Sequence, residues 1–148
     1  MTSVLFDTCI VMDLMQKREP FFDNAHKLFL AVANHQIKGF LTAKSILDIY
    51  YLLHRVYHSI DETKKNLSTL IELFEILDTT AVDCKKAVLS DVSDYEDAVM
   101  CETAIRKHVD CIVTRNLRDF KNASVKALSP AELAAAITGQ NENELKKS

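Results

Sequence analysis

The sequence predicts an α/β fold, a three-layer α/β/α sandwich with a central parallel sheet of about five strands. Short apolar runs alternate along the chain with longer segments of helical periodicity. The apolar runs lack an apolar-polar alternation, which is typical of strands buried on both faces of a parallel sheet. The 148 residues suit one domain, predicted over residues 1–138, and the polar residues 139–148 are predicted to form a disordered tail.

The first half of the chain supplies three of the predicted strands. They lie at residues 4–6, 39–41 and 74–77. Helical periodicity fills the segments between them, and Thr42 or Ser45 is the expected cap of the helix after the second strand. The apolar stripe predicted for that helix runs from Ile46 to Val56.

The second half supplies the remaining two strands and three helices. A short helix is predicted at residues 81–89, and a longer one begins near Asp94 and ends before a buried strand at 111–113. A fifth strand is predicted at 125–128. Pro130 then starts the last helix, in the first turn where proline is tolerated.

Composition limits the classes of function. The formal net charge is −3, so no overall basic surface indicates a nucleic-acid partner. No apolar run reaches the length of a membrane span, and no glycine-rich phosphate loop is present. The four cysteines show no metal-ligand spacing and are expected to be reduced thiols of a cytoplasmic protein; they are Cys9, Cys84, Cys101 and Cys111.

Several acids are expected at one edge of the sheet. Asp7 ends the first strand, and Asp97 lies in the first turn of the helix that Asp94 caps. Asp48 lies among apolar residues of the helix after strand two, where a charge needs a partner. Because converging carboxylates repel each other, they predict a cation between them, and such oxygen ligands suit Mg²⁺ or Mn²⁺.

Two other polar positions follow the fourth predicted strand. Asn116 and Asp119 could join the same site, and both could equally be the turn chemistry expected after a strand. Asp94 is better explained as a helix cap than as a ligand.

A phospho-acceptor domain of the receiver type is an alternative. Asp78, Thr114 and Lys126 resemble the placement of its strand-end residues. That class needs two adjacent acids after strand one, whereas Thr8 follows Asp7 here. An aspartyl phosphatase would want a second acid at the position of Cys9.

Four segments of the chain resemble a PIN domain. They are residues 4–8, 45–53, 94–98 and 110–120, and they follow the order and spacing of that family from Val4 to about Leu133. The most specific parts are the Asp-Tyr-Glu-Asp-Ala sequence at 94–98 and the Thr-Arg-Asn-x-x-Asp-Phe sequence at 114–120. The resemblance implies a metal-dependent ribonuclease.

The resemblance also implies roles for individual residues. Asp7, Asp48, Asp97 and Asn116 would form the catalytic set, with Asp7, Asp97 and Asp48 as ligands of Mg²⁺ or Mn²⁺. The residues expected to support them or to contact substrate are Thr114, Asp119, Asp94, Thr8, Arg115 and Arg118. Of these, Arg115 and Arg118, together with Lys121, would hold the RNA backbone.

The chain departs from the family pattern at three positions. Asp48 replaces the usual Glu, Cys9 stands where Asn is common, and Asn116 replaces a possible acid. These changes keep a second interpretation open, in which the fold is catalytically silent and serves as a binding module.

The compact single-domain form resembles the toxin of VapBC-type toxin-antitoxin pairs. This implies RNA as substrate and a small DNA-binding antitoxin as partner, whose tail would lay an apolar helix on the domain and direct an Arg to the acidic site. It also implies a homodimer without a membrane partner.

Overall fold

The computed structural model describes the backbone of residues 1–147 and the side chains of residues 1–140, and it confirms the predicted α/β/α sandwich. The described strands are β1 (Thr2–Phe6), β2 (Ile37–Thr42), β3 (Glu75–Leu77), β4 (Cys111–Val113) and β5 (Lys126–Leu128). The described helices are α1 (Thr8–Met15), α2 (Phe22–Ala33), α3 (Ala43–Tyr57), α4 (Ile60–Leu73), α5 (Ala81–Val88), α6 (Tyr95–Arg106) and α7 (Pro130–Lys147), with a 3₁₀ turn at Leu117–Phe120.

All five strands are parallel, in the order β3-β2-β1-β4-β5. The chain moves outward from β1 to β3 and then returns to pair β4 with β1, so the strand order reverses between β1 and β4. Open α/β sheets bind ligands beyond the carboxyl ends of the strands at such a reversal. The receiver-type alternative is wrong, because that class has the order 2-1-3-4-5.

Two apolar cores lie on opposite faces of the sheet. Val4, Phe6 and Val113 point into the first core, beneath α1, α2, α3, α4 and α7. Leu5 and Ile112 point into the second, beneath α5 and α6. This alternation along β1 and β4 explains why both faces of the sheet need apolar residues, and it leaves the strand ends as the place for polar side chains.

Side-chain caps fix where several helices begin. Thr42 caps α3 by accepting from the Ser45 amide, which selects Thr42 of the two predicted caps. Thr80 and Asp83 form a reciprocal capping box at α5. Asp94 caps α6 as predicted, because its carboxylate accepts from the Asp97 amide at 3.0 Å.

One packing prediction is wrong, and the tail prediction stays open. Val56 was expected in the buried stripe of α3 but is 48% exposed, at the C-terminal end of that helix. The assigned helix α7 crosses the predicted boundary at residue 139, and the tail prediction falls largely on side chains 141–148, outside the described residues.

Within the described chain, no helix combines the length and apolar composition needed to cross a bilayer.

Candidate active site

A cleft of about 310 Å³ opens beyond the carboxyl ends of β1 and β2, with the first turn of α6 as its opposite wall. Thr8, Thr42 and Ser45 form part of its polar lining, and the Ser45 hydroxyl accepts from Thr8 at 3.2 Å and from Thr42 at 3.0 Å. The charged residues that line it are Asp7, Lys44, Asp48, Glu96 and Asp97. The structure therefore brings together the three acids that the sequence placed in one site.

Asp7 lies at the point where β1 ends and α1 begins. Its backbone amide donates to the Val113 carbonyl, and its carboxylate accepts from the Thr114 hydroxyl at 2.8 Å. Burial raises the pKa of Asp7, while the Thr114 hydroxyl, the Thr8 amide and the Arg115 charge act to lower it. Thr114 therefore holds the Asp7 carboxylate in one orientation from the end of the neighbouring strand.

Cys9 lies in the first turn of α1, two residues after Asp7. Its thiol hydrogen-bonds to Asp7, and burial together with the Asp7 charge raises the pKa of Cys9 to about 11. A thiol with this pKa stays protonated at neutral pH and is a poor metal ligand. In this chain Cys9 therefore donates to Asp7 rather than extending the set of anionic ligands.

Asp97 faces Asp7 from the first turn of α6. Burial raises the pKa of Asp97 to about 7, with further contributions from the negative charges of Asp7, Asp94, Asp119 and Glu96. A carboxylate at a helix N-terminus is normally favoured by the helix dipole. The raised pKa therefore indicates that burial, together with repulsion among the acids, exceeds this favourable effect.

Asp48 reaches the cleft from the first half of α3, where its carboxylate is paired with a lysine. The Lys44 ammonium lies one turn earlier and contacts Asp48 Oδ2 at 2.5 Å and Glu96 Oε1 at 3.2 Å. Burial acts to lower the pKa of Lys44, but the hydrogen bonds to Asp48 and Glu96 outweigh it and raise that pKa. Lys44 thus joins the two walls of the cleft, and Asp48 is the only one of the three predicted acids with an ion-pair partner among the described residues.

The residues that follow β4 differ in exposure, and none of those described lines the cleft. Asp119 is half-buried in the 3₁₀ turn and acts on Asp97 through its charge. Asn116 is exposed, does not line the cleft, and donates its backbone amide to Thr114. Arg118 is exposed on the same turn. Of this group, Asp119 is the residue whose charge acts on Asp97.

Arg115 has a structural partner that the sequence did not indicate. Its guanidinium donates to both carboxylate oxygens of Asp13 at 2.7 and 3.2 Å, and it stacks on the Phe21 ring at 3.9 Å. Asp13 is 0% exposed, so this pairing compensates a fully buried charge. Arg115 therefore fastens the loop after β4 to α1, which fixes the backbone that carries Thr114.

The donor set fits a magnesium-type ion. Among the residues whose side chains are described, no three His, Cys, Asp or Glu side chains lie close enough together to enclose a metal. Mg²⁺ needs no such enclosure, since it keeps several waters and is commonly held by one or two carboxylates. Asp7 and Asp97 provide two facing carboxylates whose raised pKa values reflect burial and, at Asp97, the surrounding negative charge, an arrangement that a divalent cation would stabilise.

Sequence reasoning missed Lys44, Glu96 and Asp13. The i, i+4 spacing of Lys44 and Asp48 could have indicated the first pair. Glu96 was quoted within the motif at 94–98 without a role of its own. Asp13 lies among Ile10–Met12 and Leu14 in an apolar run, a position that signals a buried and therefore paired charge.

Known structures share this fold. A toxin-antitoxin complex from Klebsiella pneumoniae aligns with a TM-score of 0.64 and 22% identity over 86% of this chain and 98% of that one. DNA-bound VapBC from Salmonella typhimurium aligns with a TM-score of 0.64 and 17% identity, over 88% of this chain and 99% of that one. VapC20 of Mycobacterium tuberculosis is described as a sarcin-ricin loop cleaving toxin. It aligns with a TM-score of 0.63 and 13% identity, over 84% of this chain and 99% of that one.

The sequence comparisons place the chain in a family. No match was found among curated proteins. A sequence model of the PIN domain matches residues 3–118, which run from β1 into the 3₁₀ turn and include Asp7, Asp48 and Asp97. Because this match covers most of the chain, the protein belongs to the PIN domain family.

Proposed function

We propose that the protein is a metal-dependent endoribonuclease that hydrolyses RNA phosphodiester bonds at the cleft. The observation that carries the proposal is the pair of Asp7 and Asp97, whose carboxylates face each other from β1 and α6 with Asp97 at a pKa of about 7. Titratable groups perturbed by burial and by like charges in a cleft are typical of active sites. PIN domain membership supports the same reaction class.

Asp7 and Asp97 would hold one divalent cation, Mg²⁺ or Mn²⁺. When bound, such an ion lowers the pKa of its water and offsets negative charge on the phosphate. Thr114 orients Asp7 by its 2.8 Å hydrogen bond, so the carboxylate does not rotate when RNA enters. The Asp94 carboxylate is engaged as the helix cap by the Asp97 amide, so we assign Asp94 no direct contact with the ion.

The remaining predicted residues would act around this pair. Asp119 adds negative charge close to Asp97. Arg118 in the 3₁₀ turn and Lys121 directly after it are both exposed, and we propose that they contact the RNA backbone. Arg115 serves the site indirectly through Asp13. We propose Asn116 as an outer ligand of the ion. We propose Asp48 as a ligand or as a base that positions water.

RNA cleavage with and without EDTA tests the proposal. We expect purified protein to cleave single-stranded RNA with Mg²⁺, and Asp97→Asn to reduce the rate by about 10²- to 10³-fold, as for loss of one electrostatic group in an active site. The matched control is Asp23→Asn, the same change in the first turn of α2, outside the cleft. Equal cleavage by Asp97→Asn and wild type, or cleavage unaffected by EDTA, would reject the assignment.

We further propose that the protein is the toxin of a toxin-antitoxin pair in the cytoplasm. The support is that its structural neighbours include toxin-antitoxin complexes, one of them bound to DNA. Expression of the wild type, but not of Asp97→Asn, should then arrest growth, and co-expression of a small neighbouring reading frame should restore it. RNA cleavage without growth arrest would retain the nuclease and reject the toxin.

The alternative is a catalytically silent PIN fold that acts as a binding module. The departures at Asp48 and Asn116 favour it, since Asp48 is committed to Lys44 and Asn116 is exposed outside the cleft. Calorimetric titration with Mg²⁺ separates the two functions, because a silent fold has no need to bind the ion.

A further inference from the structure

One positively charged side chain lies in the cleft. Lys44 is the one basic residue among the described residues that line it, and its ammonium bridges Asp48 on α3 and Glu96 on α6. The two carboxylates come from opposite walls. Lys44 therefore neutralises charge at the position where α3 and α6 approach each other, beside Asp7 and Asp97.

The ammonium keeps one donor in reserve. A lysine side chain has three N–H donors and no acceptor. Two of them are accounted for by Asp48 and Glu96, and among the described side chains no third partner accepts from Lys44. Because the Lys44 side chain is 42% exposed, the third donor can meet a ligand in the cleft.

The carboxylates that line the cleft differ in whether they have a cation as partner. Asp48 and Glu96 already have a cation at ion-pair distance, whereas Asp7 and Asp97 line the same cleft without an ion-pair partner among the described side chains. A second divalent ion at Asp48 would have to displace the Lys44 ammonium, which costs the two ion pairs. Among the described residues, the Asp7 and Asp97 side is therefore the side of the cleft that has no ion pair.

We propose that Lys44 takes the place of a second metal ion: it compensates Asp48 and Glu96 and donates its free N–H to a phosphate oxygen of RNA, so the cleft binds a single divalent ion at Asp7 and Asp97. This rests on the proposed nuclease function. Asp48 is then a positioning residue that holds Lys44 and does not ligate metal.

Calorimetric titration of metal-free protein with Mn²⁺ tests the ion count without any need for activity. We expect one ion for the wild type, and a second ion for Lys44→Met because Asp48 and Glu96 lose their cation. Lys44→Arg, which keeps the charge, should bind one ion. The matched control is Lys38→Met, since Lys38 is also ion-paired, to Glu75 at 3.1 Å, but lies outside the cleft.

Binding of a single-stranded RNA oligonucleotide in EDTA tests the phosphate contact. Lys44→Met should bind about tenfold more weakly than the wild type, the size of one hydrogen bond to a charged group, whereas Lys38→Met should bind as the wild type does. Circular dichroism melting establishes that each variant is folded. Equal RNA affinity of Lys44→Met and wild type would overturn the proposal.

Asp48→Asn keeps the proposal testable even if Lys44→Met folds poorly. We expect it to bind one Mn²⁺ ion with nearly unchanged affinity, and a loss of ion binding would overturn the role given to Lys44 by making Asp48 a direct ligand. One ion in both wild type and Lys44→Met would reject the Lys44 role and leave the nuclease proposal standing. No ion in the wild type would reject both.

Discussion

The two ends of α6 hold carboxylates in opposite electrostatic settings. At its start, Asp97 faces other acids, and burial and repulsion raise its pKa to about 7. At its end, Arg106 donates to both oxygens of Asp83 on α5, at 2.9 and 3.0 Å. Burial acts to raise the pKa of Asp83, but the hydrogen bonds from Arg106, Thr80 and Thr103 lower it to about 2. The same helix thus carries one uncompensated acid and compensates another.

This difference separates acids that build the fold from acids that form the site. Asp83 is only 1% exposed, and every contact described for it is a donor that stabilises the charged form. Asp97 lies in an open cleft where a bound cation can supply the missing charge. In this chain the buried Asp83 is therefore compensated by donors of the fold, whereas Asp97 has no ion-pair partner among the described side chains.

The largest effect on stability is expected from removing the ion pair between Arg106 and Asp83 at the C-terminal end of α6. Arg106→Met leaves the buried Asp83 carboxylate without its cation, and we expect the free energy of unfolding to fall by about 3–5 kcal/mol, as for other broken buried pairs. Urea denaturation at pH 7 measures this change.

The control for Arg106→Met is Arg55→Met. Arg55 also lies in the last turn of its helix, α3, but is exposed and contacts only the face of Tyr51, at 5.8 Å. We expect a loss below about 1 kcal/mol there. Similar losses for the two variants would mean that the Asp83 pair does not stabilise the charged carboxylate as described.

The fold and the acidic pair could be predicted from the sequence because both depend on local pattern. Apolar runs without alternation predicted buried parallel strands, and the carboxyl ends of such strands meet at one edge, which brought Asp7 and Asp97 together in the prediction. The Asp94 cap was predictable for the same reason, since it bonds an amide three residues away.

The ion pairs between distant elements could not be predicted. Arg115 and Asp13 are 102 residues apart, and nothing local indicates that this Arg turns inward to α1 rather than outward to RNA. Lys44 and Glu96 meet only because α3 and α6 form opposite walls of the cleft. Long charged side chains reach many partners, so their choice depends on the packed structure.

Binding of a divalent ion at Asp97, at the N-terminal end of α6, should raise the free energy of unfolding by an intermediate amount. At a free Mg²⁺ concentration of 100 times the Kd, binding to the folded protein alone adds about 2.7 kcal/mol. We expect the Tm of the wild type to rise by several degrees in Mg²⁺. Asp97→Asn should lose this rise and Asp23→Asn should keep it. An equal rise in Asp97→Asn would place the ion elsewhere.

The smallest effect, and the one that compares the two ends of α6 directly, is the pH dependence of metal-free protein in EDTA. The folded protein holds the Asp97 proton more tightly than the unfolded chain, because the pKa rises from 3.8 to about 7. The stability from this proton is complete below about pH 4 and is lost as the pH rises through 7. At pH 8 Asp97→Asn should therefore be more stable than the wild type, by about 1–2 kcal/mol after solvent screening of this partly exposed group.

Asp83→Asn should give the opposite sign over a lower pH range. Its pKa falls from 3.8 to about 2 on folding, so the charged form stabilises the protein above pH 4, and that stability is lost as the pH falls toward 2. Urea denaturation at pH 4 and pH 8 compares Asp97→Asn with the wild type, and urea denaturation at about pH 2 and pH 5 compares Asp83→Asn with the wild type. If raising the pH across its own range shifts both variants in the same direction relative to the wild type, the contrast between the two ends of α6 is not electrostatic, because a compensated and an uncompensated acid must respond to pH with opposite signs.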